Sequence, residues 1–401
     1  MTRTLDGVRV LEIGQYIAGP YCAMLLADQG AEVIKVERPD TGDPRRWYDP
    51  LIEQDGRSMS GGFLSYNRNK RAITLNLQHS EGRRLFLKLV ESSDVVVENL
   101  RPGALDRAGL GYDRLVEINP RLIYCAITGF GRLDGYRGPY ADRPAFDAAV
   151  QAMSGIMSVI GSGDDEPTLS VTGFADIYTA VFGALGVSLA LFAREKTGRG
   201  TFIDQAMYDT VASLMERSLM LYEYTGEVPT PGVDRFAPVG ALKTLDGHAA
   251  VIIPTDDMWV RFCTAIGRGD LLARPELATV RQRSENFRSV IRPEAELWSS
   301  QRTRAEVVAE LTKHGLPAGE VQKVDEVYAC PQLAQRQMFL DIDDGVSGAK
   351  RMPRTPLLFS DFELPPHDAP PQLGADTELV LRELAGARSE EIQLWRRDGV
   401  I

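Results

Sequence analysis

The chain has 401 residues, which at roughly 100 to 200 residues per domain is enough for two or three domains, and two is the expectation. Lys plus Arg number 45 against 56 Asp plus Glu, a formal net charge of −11; a nucleic-acid binder needs basic surface to displace counterions, so this balance argues against that class. With 44% apolar and 25% charged residues, the composition is that of a globular enzyme and excludes a mainly disordered chain.

Up to Thr128, short β-rich runs alternate with helical patterns, the signature of parallel α/β units. Val8 to Ile13 predicts a strand, Pro20 to Asp28 a helix, Glu32 to Glu37 and Ala72 to Leu77 strands, and Ser80 to Ser92 an amphipathic helix. Asp94 to Glu98 and Leu122 to Thr128 are apolar runs of the kind buried on both faces of a parallel sheet. The fold class expected is α/β, a nucleotide-fold-like parallel sheet with helices on both faces.

Helical spacing continues over Phe146 to Ile160 and Ile177 to Phe192, followed by a strand-like run, Thr201 to Ala206, and one long helix reaching Tyr224. The glycines and prolines of Thr225 to Pro238 mark a linker. The expected division is a large α/β domain over residues 1–228, a smaller α+β domain over 229–324 and a C-terminal segment, 325–401. The smaller domain opens on a strand at His248 to Ile253 and a helix near Asp257 to Ile266. The last segment carries a proline-rich connector, Pro353 to Pro371, and helices at Asp376 to Leu384 and Ser389 to Arg397.

No run reaches about 18 uninterrupted apolar residues, so no transmembrane helix is expected. Arg3, Asp6 and Arg9 leave no apolar stretch of signal-peptide length, and a cytoplasmic protein is the expectation. Cys22, Cys125, Cys263 and Cys330 form no CxxC pair and read as reduced, structural residues.

Common catalytic signatures are missing: there is no GxxxxGK[ST], HExxH or GxSxG, and Gly129, Gly131 and Gly135 do not make a dinucleotide fingerprint. The four histidines, His79, His248, His314 and His367, are far apart, which disfavours a metal site or a Ser/His/Asp triad. A carboxylate mechanism gains by elimination. Asp176 is the one acid at the start of a helix that is otherwise apolar to Phe192; it reads either as an N-cap or as a nucleophile facing the positive helix end, and the two are compatible.

Six motifs in order then carry a family resemblance: Leu5-Asp-Gly-Val-Arg-Val-Leu-Glu, Ala18-Gly-Pro, Leu26 through Arg38, Asn69-Lys-Arg, Val97-Glu-Asn-Leu-Arg-Pro-Gly103 and Lys196-Thr-Gly-Arg-Gly200. Together they resemble the class III coenzyme A transferases, the CaiB/BaiF family that includes formyl-CoA and carnitine CoA transferases and α-methylacyl-CoA racemase. The resemblance implies acyl-CoA and a small carboxylic acid as substrates and no permanently bound cofactor or metal. It also implies an interlocked homodimer, each chain forming a large domain from both termini and a small domain from its middle, with no nucleic-acid or membrane partner. Asp176 matches the aspartate that attacks the thioester. Ala18 lies in the loop whose backbone binds CoA, Arg38 at the adenine end, Leu75 and Asn99 in the CoA groove, and Arg107 at a phosphate. The implied chemistry exchanges the donor acid for CoA on Asp176 and then reverses the sequence with the acceptor.

CoA also carries several phosphate charges, for which Lys70, Arg71, Arg101 and Arg107 are the local cations. The racemase branch uses adjacent His and Asp, where this chain has Phe146 and Asp147, so α-proton exchange is not expected; the glycine run of the formyl-CoA branch is also missing, which puts formate and oxalate in doubt. Arg45, Arg46, Arg137, Arg143 and Arg235 could clamp the distal carboxylate of a short dicarboxylic acid of the succinate, mesaconate or citramalate kind. The competing readings are a racemase-like enzyme and a non-catalytic acyl-CoA binding protein.

Overall fold

A computed structural model describes residues 3–161, 166–363 and 367–401. The chain divides into two compact units. One comprises Met1–Met157, Leu169–Leu219 and Gln335–Ile401, the other Ser158–Thr168 and Met220–Ala334.

The first unit is built on a six-stranded, all-parallel sheet: β1 (Arg9–Ile13), β2 (Glu32–Glu37), β3 (Lys70–Thr74), β4 (Val95–Glu98), β5 (Ile123–Thr128) and β6 (Thr201–Ala206), in the order β3-β2-β1-β4-β5-β6. The sequence runs outward from β1 in both directions, so the order reverses between β1 and β4. In open α/β sheets a crevice forms there, at the carboxyl ends of the strands. Alternate side chains of each strand enter two separate cores. Leu11, Val96, Tyr124 and Ala126 belong to one, Val10, Val95, Val97, Ile123 and Cys125 to the other, and both faces are therefore covered. That is why β4 and β5 read as unbroken apolar runs.

Around the sheet lie α1 (Ala18–Ala27), α2 (Gly61–Asn67), α3 (Asp147–Met153) and α4 (Phe174–Thr197), among other helices. The expected single helix up to Tyr224 is two, Met207–Ser213 and Glu216–Thr225, and the helix expected over Phe146 to Ile160 is α3 plus a 3₁₀ turn at Ile156–Ser158. By length and composition α4, 24 residues with an 18-residue stretch of mean hydropathy 1.7, is apolar enough to cross a membrane, a test that a buried core helix also passes. One face, with Ala175, Ala180, Ala184 and Val187, is buried in the core that also holds α1 residues.

The Lys196 to Gly200 motif closes the turn from α4 into β6. Gly198 caps the helix at φ 70°, and a Cβ on Gly200 would fall 1.9 Å from the Leu122 carbonyl oxygen, so no larger residue fits there.

The last segment of this unit runs along β3, the edge strand of the sheet. Ala72 N–H donates to Asp376 Oδ2 at 2.8 Å, Thr74 N–H to Thr377 Oγ1 at 3.0 Å and Asn76 N–H to the Val400 carbonyl at 2.8 Å. The Pro353 to Pro371 connector includes residues 364–366, which lie outside the described residues.

The second unit has a three-stranded antiparallel sheet, β7 (Val239–Lys243), β8 (His248–Ile252) and β9 (Ala318–Glu320), with β8 central. Leu242, Val251, Trp259, Phe262, Val307 and Leu311 form its core.

Candidate active site

Three of the residues expected to bind CoA directly follow the ends of parallel strands: Arg38 follows β2, Leu75 follows β3 and Asn99 follows β4. A cavity of about 220 Å³ opens at this edge, lined by Gly14, Gln15, Arg38, Leu75, Asn76 and Leu105 among others. Asn99 does not line it but clasps the loop that does. Gln15 N–H donates to Asn99 Oδ1 and Asn99 Nδ2 to the Gln15 carbonyl, both at 2.8 Å. This side-chain-to-backbone pair bridges the loops after β1 and β4, across the point where the strand order reverses.

Ala18 is buried at the first turn of α1, which no side chain caps, so the positive end of that helix faces the same loop. Arg107 is exposed and donates weakly to the Pro102 carbonyl; its neighbours Ala104, Leu105 and Ala108 line the cavity, but it does not. Lys70, read as a phosphate cation, is instead buried and bonded to Glu12, Asn67 and the Pro20 carbonyl. Arg71 is likewise committed, to Glu32 and Glu383. A larger cavity, about 650 Å³ with His248, Arg288 and Arg292 in its lining, lies in the second unit and contains none of the expected site residues.

Asp176 sits in the first turn of α4 but does not cap it. The N-cap is Gly173, at φ 85°, and the capping oxygens come from Asp147. Asp147 Oδ2 accepts from Gly173 N–H at 3.0 Å and Oδ1 from Ala175 N–H at 2.7 Å, while Gln151 Nε2 steadies the carboxylate at 2.9 Å. A helix start ordinarily lowers the pKa of a nearby carboxylate. Here Asp147 takes up those donors and adds a like charge of its own. Burial, and after it Asp147, push the Asp176 carboxyl up to about 7, against the pull of Arg45.

The start of α1 reaches this point: a Cβ on Gly173 would touch Ile17 Cδ1 at 3.5 Å. The neighbouring Tyr16, at φ 64°, meets the rings of Tyr48 and Phe146 edge-on at 6.1 and 5.7 Å between centroids. One loop, residues 14–17, therefore touches both the cavity and the turn that carries Asp176.

A buried ion network lies under this loop. Glu12, fully buried, accepts from Lys35 Nζ and Lys70 Nζ, each at 2.7 Å. Lys35 also meets Asp43 at 3.0 Å and donates to the Gly14 carbonyl at 2.8 Å. Asp43 in turn accepts the backbone N–H groups of Tyr16 and Arg45, at 3.1 and 2.9 Å. Composition could not have shown that Glu12, Lys35, Asp43 and Asp147 serve the site, because each is ordinary in its local context.

The sequence model described as CoA-transferase family III matches residues 5–377. The chain is 39% identical over 343 residues to the succinyl-CoA:mesaconate CoA-transferase of Haloarcula marismortui, covering 84% of this chain and 85% of that protein. It is 33% identical over 389 residues to the succinate–glutarate CoA-transferase of Agrobacterium fabrum, covering 95% of each. A CaiB/BaiF family protein from Brucella suis, solved by crystallography, superposes with a TM-score of 0.84 at 36% identity, over 96% of this chain and 100% of that one.

Proposed function

The chain belongs to CoA-transferase family III, and from that premise we propose that it moves CoA from an acyl-CoA thioester to a short dicarboxylic acid of the succinate, mesaconate or glutarate class, through Asp176. The observation that carries this reading is the carboxylate of Asp176, half-buried on the turn that the loop at 14–17 touches and, among the described residues, without an ion-pair partner.

The Asp176 carboxylate attacks the donor thioester carbonyl, giving a mixed anhydride and CoA thiolate. The thiolate attacks the aspartyl carbonyl, releasing the donor acid and leaving an aspartyl-CoA thioester. The acceptor carboxylate then runs the two steps in reverse, restoring Asp176. The cavity edge after β2, β3 and β4 holds the nucleotide end of CoA, with Arg38 and the start of α1 as its positive groups. Phe146 stands where the racemase branch has its histidine and supplies no base, which favours transfer over racemisation.

Incubation with succinyl-CoA followed by hydroxylamine or borohydride should modify Asp176, read by peptide mass spectrometry, because the aspartyl thioester is electrophilic. Tight acyl-CoA binding with no modification and no exchange would favour the non-catalytic binding protein instead.

Only the ionised carboxylate attacks, so the rate should climb as pH rises through about 7 and level off above it. Asp147→Asn removes the like charge while keeping one acceptor for the helix start. The acid limb of the pH profile should therefore move to lower pH, at a cost of about 1–2 kcal/mol in stability measured by denaturant titration. An unmoved limb would show that Asp147 does not act on Asp176.

The exposed apolar stripe of α4, including Tyr178, Val181, Leu185, Leu189 and Phe192, supports a homodimer, and the family resemblance supports an interlocked one. Sedimentation equilibrium should give twice the chain mass; a monomer at micromolar concentration would contradict this.

A further inference from the structure

The sequence offers five arginines for the distal carboxylate of the acceptor, and the structure separates them. Arg46 is bidentate on Glu37 at 2.6 and 2.8 Å, Arg137 holds Asp142 through both oxygens, and Arg235 pairs with Glu227 and Glu285 within the second unit. Arg143 is exposed and lies 4.0 Å from the Tyr140 ring centroid. Arg45 differs from all four: it forms no ion pair among the described residues, it is only partly exposed, and its charge acts on Asp176.

Its position is built rather than incidental. Asp43, fixed by Lys35, holds the Arg45 backbone N–H. The guanidinium carbon lies 5.4 Å from the Tyr48 centroid and 5.2 Å from that of Tyr66. The third side is Gly62, in the first turn of α2, where a Cβ would come within 3.2 Å of Arg45 Cζ. Arg45 Nε is buried and has no hydrogen-bond partner among the described residues. The fork is thus seated on aromatic rings and a side-chain-free backbone, an arrangement that favours arginine over lysine.

Asp176 cannot be the lasting counter-charge of this arginine. In the proposed cycle its negative charge disappears when the aspartyl-CoA thioester forms, and Arg45 is left uncompensated when the acceptor arrives. A monocarboxylic acceptor brings its one charge to the reacting carbonyl and loses it there. A dicarboxylic acceptor has a second charge to spare. We propose that Arg45 receives the distal carboxylate of the acceptor acid and so sets the preference for dicarboxylic acids; this rests on the transferase reading above.

The test compares kcat/KM for CoA transfer from succinyl-CoA to glutarate and to pentanoate, acids of equal chain length, in the wild type, Arg45→Gln and Arg45→Lys. The wild type should favour glutarate. Arg45→Gln should lower the glutarate-to-pentanoate ratio about tenfold or more, and Arg45→Lys should fall between, since it keeps the charge without the fork. Gly62→Ala, which leaves the arginine in place but crowds its fork, should lower the ratio in the same direction and guards against misfolding of the charge variants. Equal losses for both acids in Arg45→Gln would assign Arg45 to Asp176 alone and overturn the proposal. A wild type that favours neither acid overturns the role of Arg45 while leaving transferase activity standing. A wild type that transfers CoA to neither acid overturns the functional reading, and this inference with it.

Discussion

Asp176→Ala should lose CoA exchange by at least about 10⁴-fold while still binding acyl-CoA, because in the proposed mechanism the residue forms the covalent intermediate and it does not line the cavity after β2 and β3. Exchange is read by chromatography of the CoA esters and binding by calorimetry; turnover retained within tenfold would remove Asp176 from the mechanism. The isosteric Asp176→Asn adds a thermodynamic signature. The folded-state pKa, about 7, lies above the ordinary 3.8, so the native state prefers the protonated acid. Its contribution to stability is complete below about pH 4 and is lost as pH rises through 7, where ionisation must work against burial and Asp147. The Asn variant, which never ionises, should melt above the wild type at pH 8, and the advantage should shrink toward pH 4. The opposite trend would mean that the carboxylate is stabilised where it sits.

Glu12→Ala should be the most damaging substitution outside the reacting group. It leaves Lys35 and Lys70, both essentially buried in their side chains, without the carboxylate they share. Removing one partner of a buried ion pair typically costs about 3–5 kcal/mol, because the remaining charge cannot recover its hydration. The denaturant midpoint should fall accordingly. A Glu12→Gln variant that folds should also bind acyl-CoA more weakly, since Lys35 ties Glu12 to Gly14 and Asp43, which hold the loop at 14–17. A midpoint within 1 kcal/mol of wild type, by rough conversion, would show that the network relaxes at little cost.

The parallel sheet was legible because burial on both faces writes itself as apolar runs: β2 and β6 fall at the residues expected, and β4 and β5 begin one residue late. Local chemistry that depends on partners far away in sequence was not. Nothing around Asp147 announces that it caps α4, since Gly173 and Ala175 reach it only after α3 and α4 pack together. Lys70 reads as a cation for the CoA phosphates for the same reason: its carboxylate partner lies 58 positions earlier, on β1. The hairpin of Leu51–Gln54 and Arg57–Ser60 went unread although Asp55-Gly56, with φ of 52° and 72°, makes a strong turn signal. Its strands lack alternating apolar residues, so the turn had no flanks to identify it. Asp176 was singled out by its place at the start of an apolar helix and then by the family motifs, and the residues after β2, β3 and β4 by those motifs alone.

The bonds from Ala72, Thr74 and Asn76 to Asp376, Thr377, Gly399 and Val400 join positions more than 300 apart. On a translating ribosome adding about 5–20 residues per second, β3 therefore waits tens of seconds for the strap that completes its outer edge. Until then an edge strand presents unpaired N–H groups beside the half-built cavity, a surface open to mispairing with another nascent chain. Folding yield for this protein should thus depend on what shields that edge during synthesis, which makes a holding chaperone or slower initiation the lever for soluble expression.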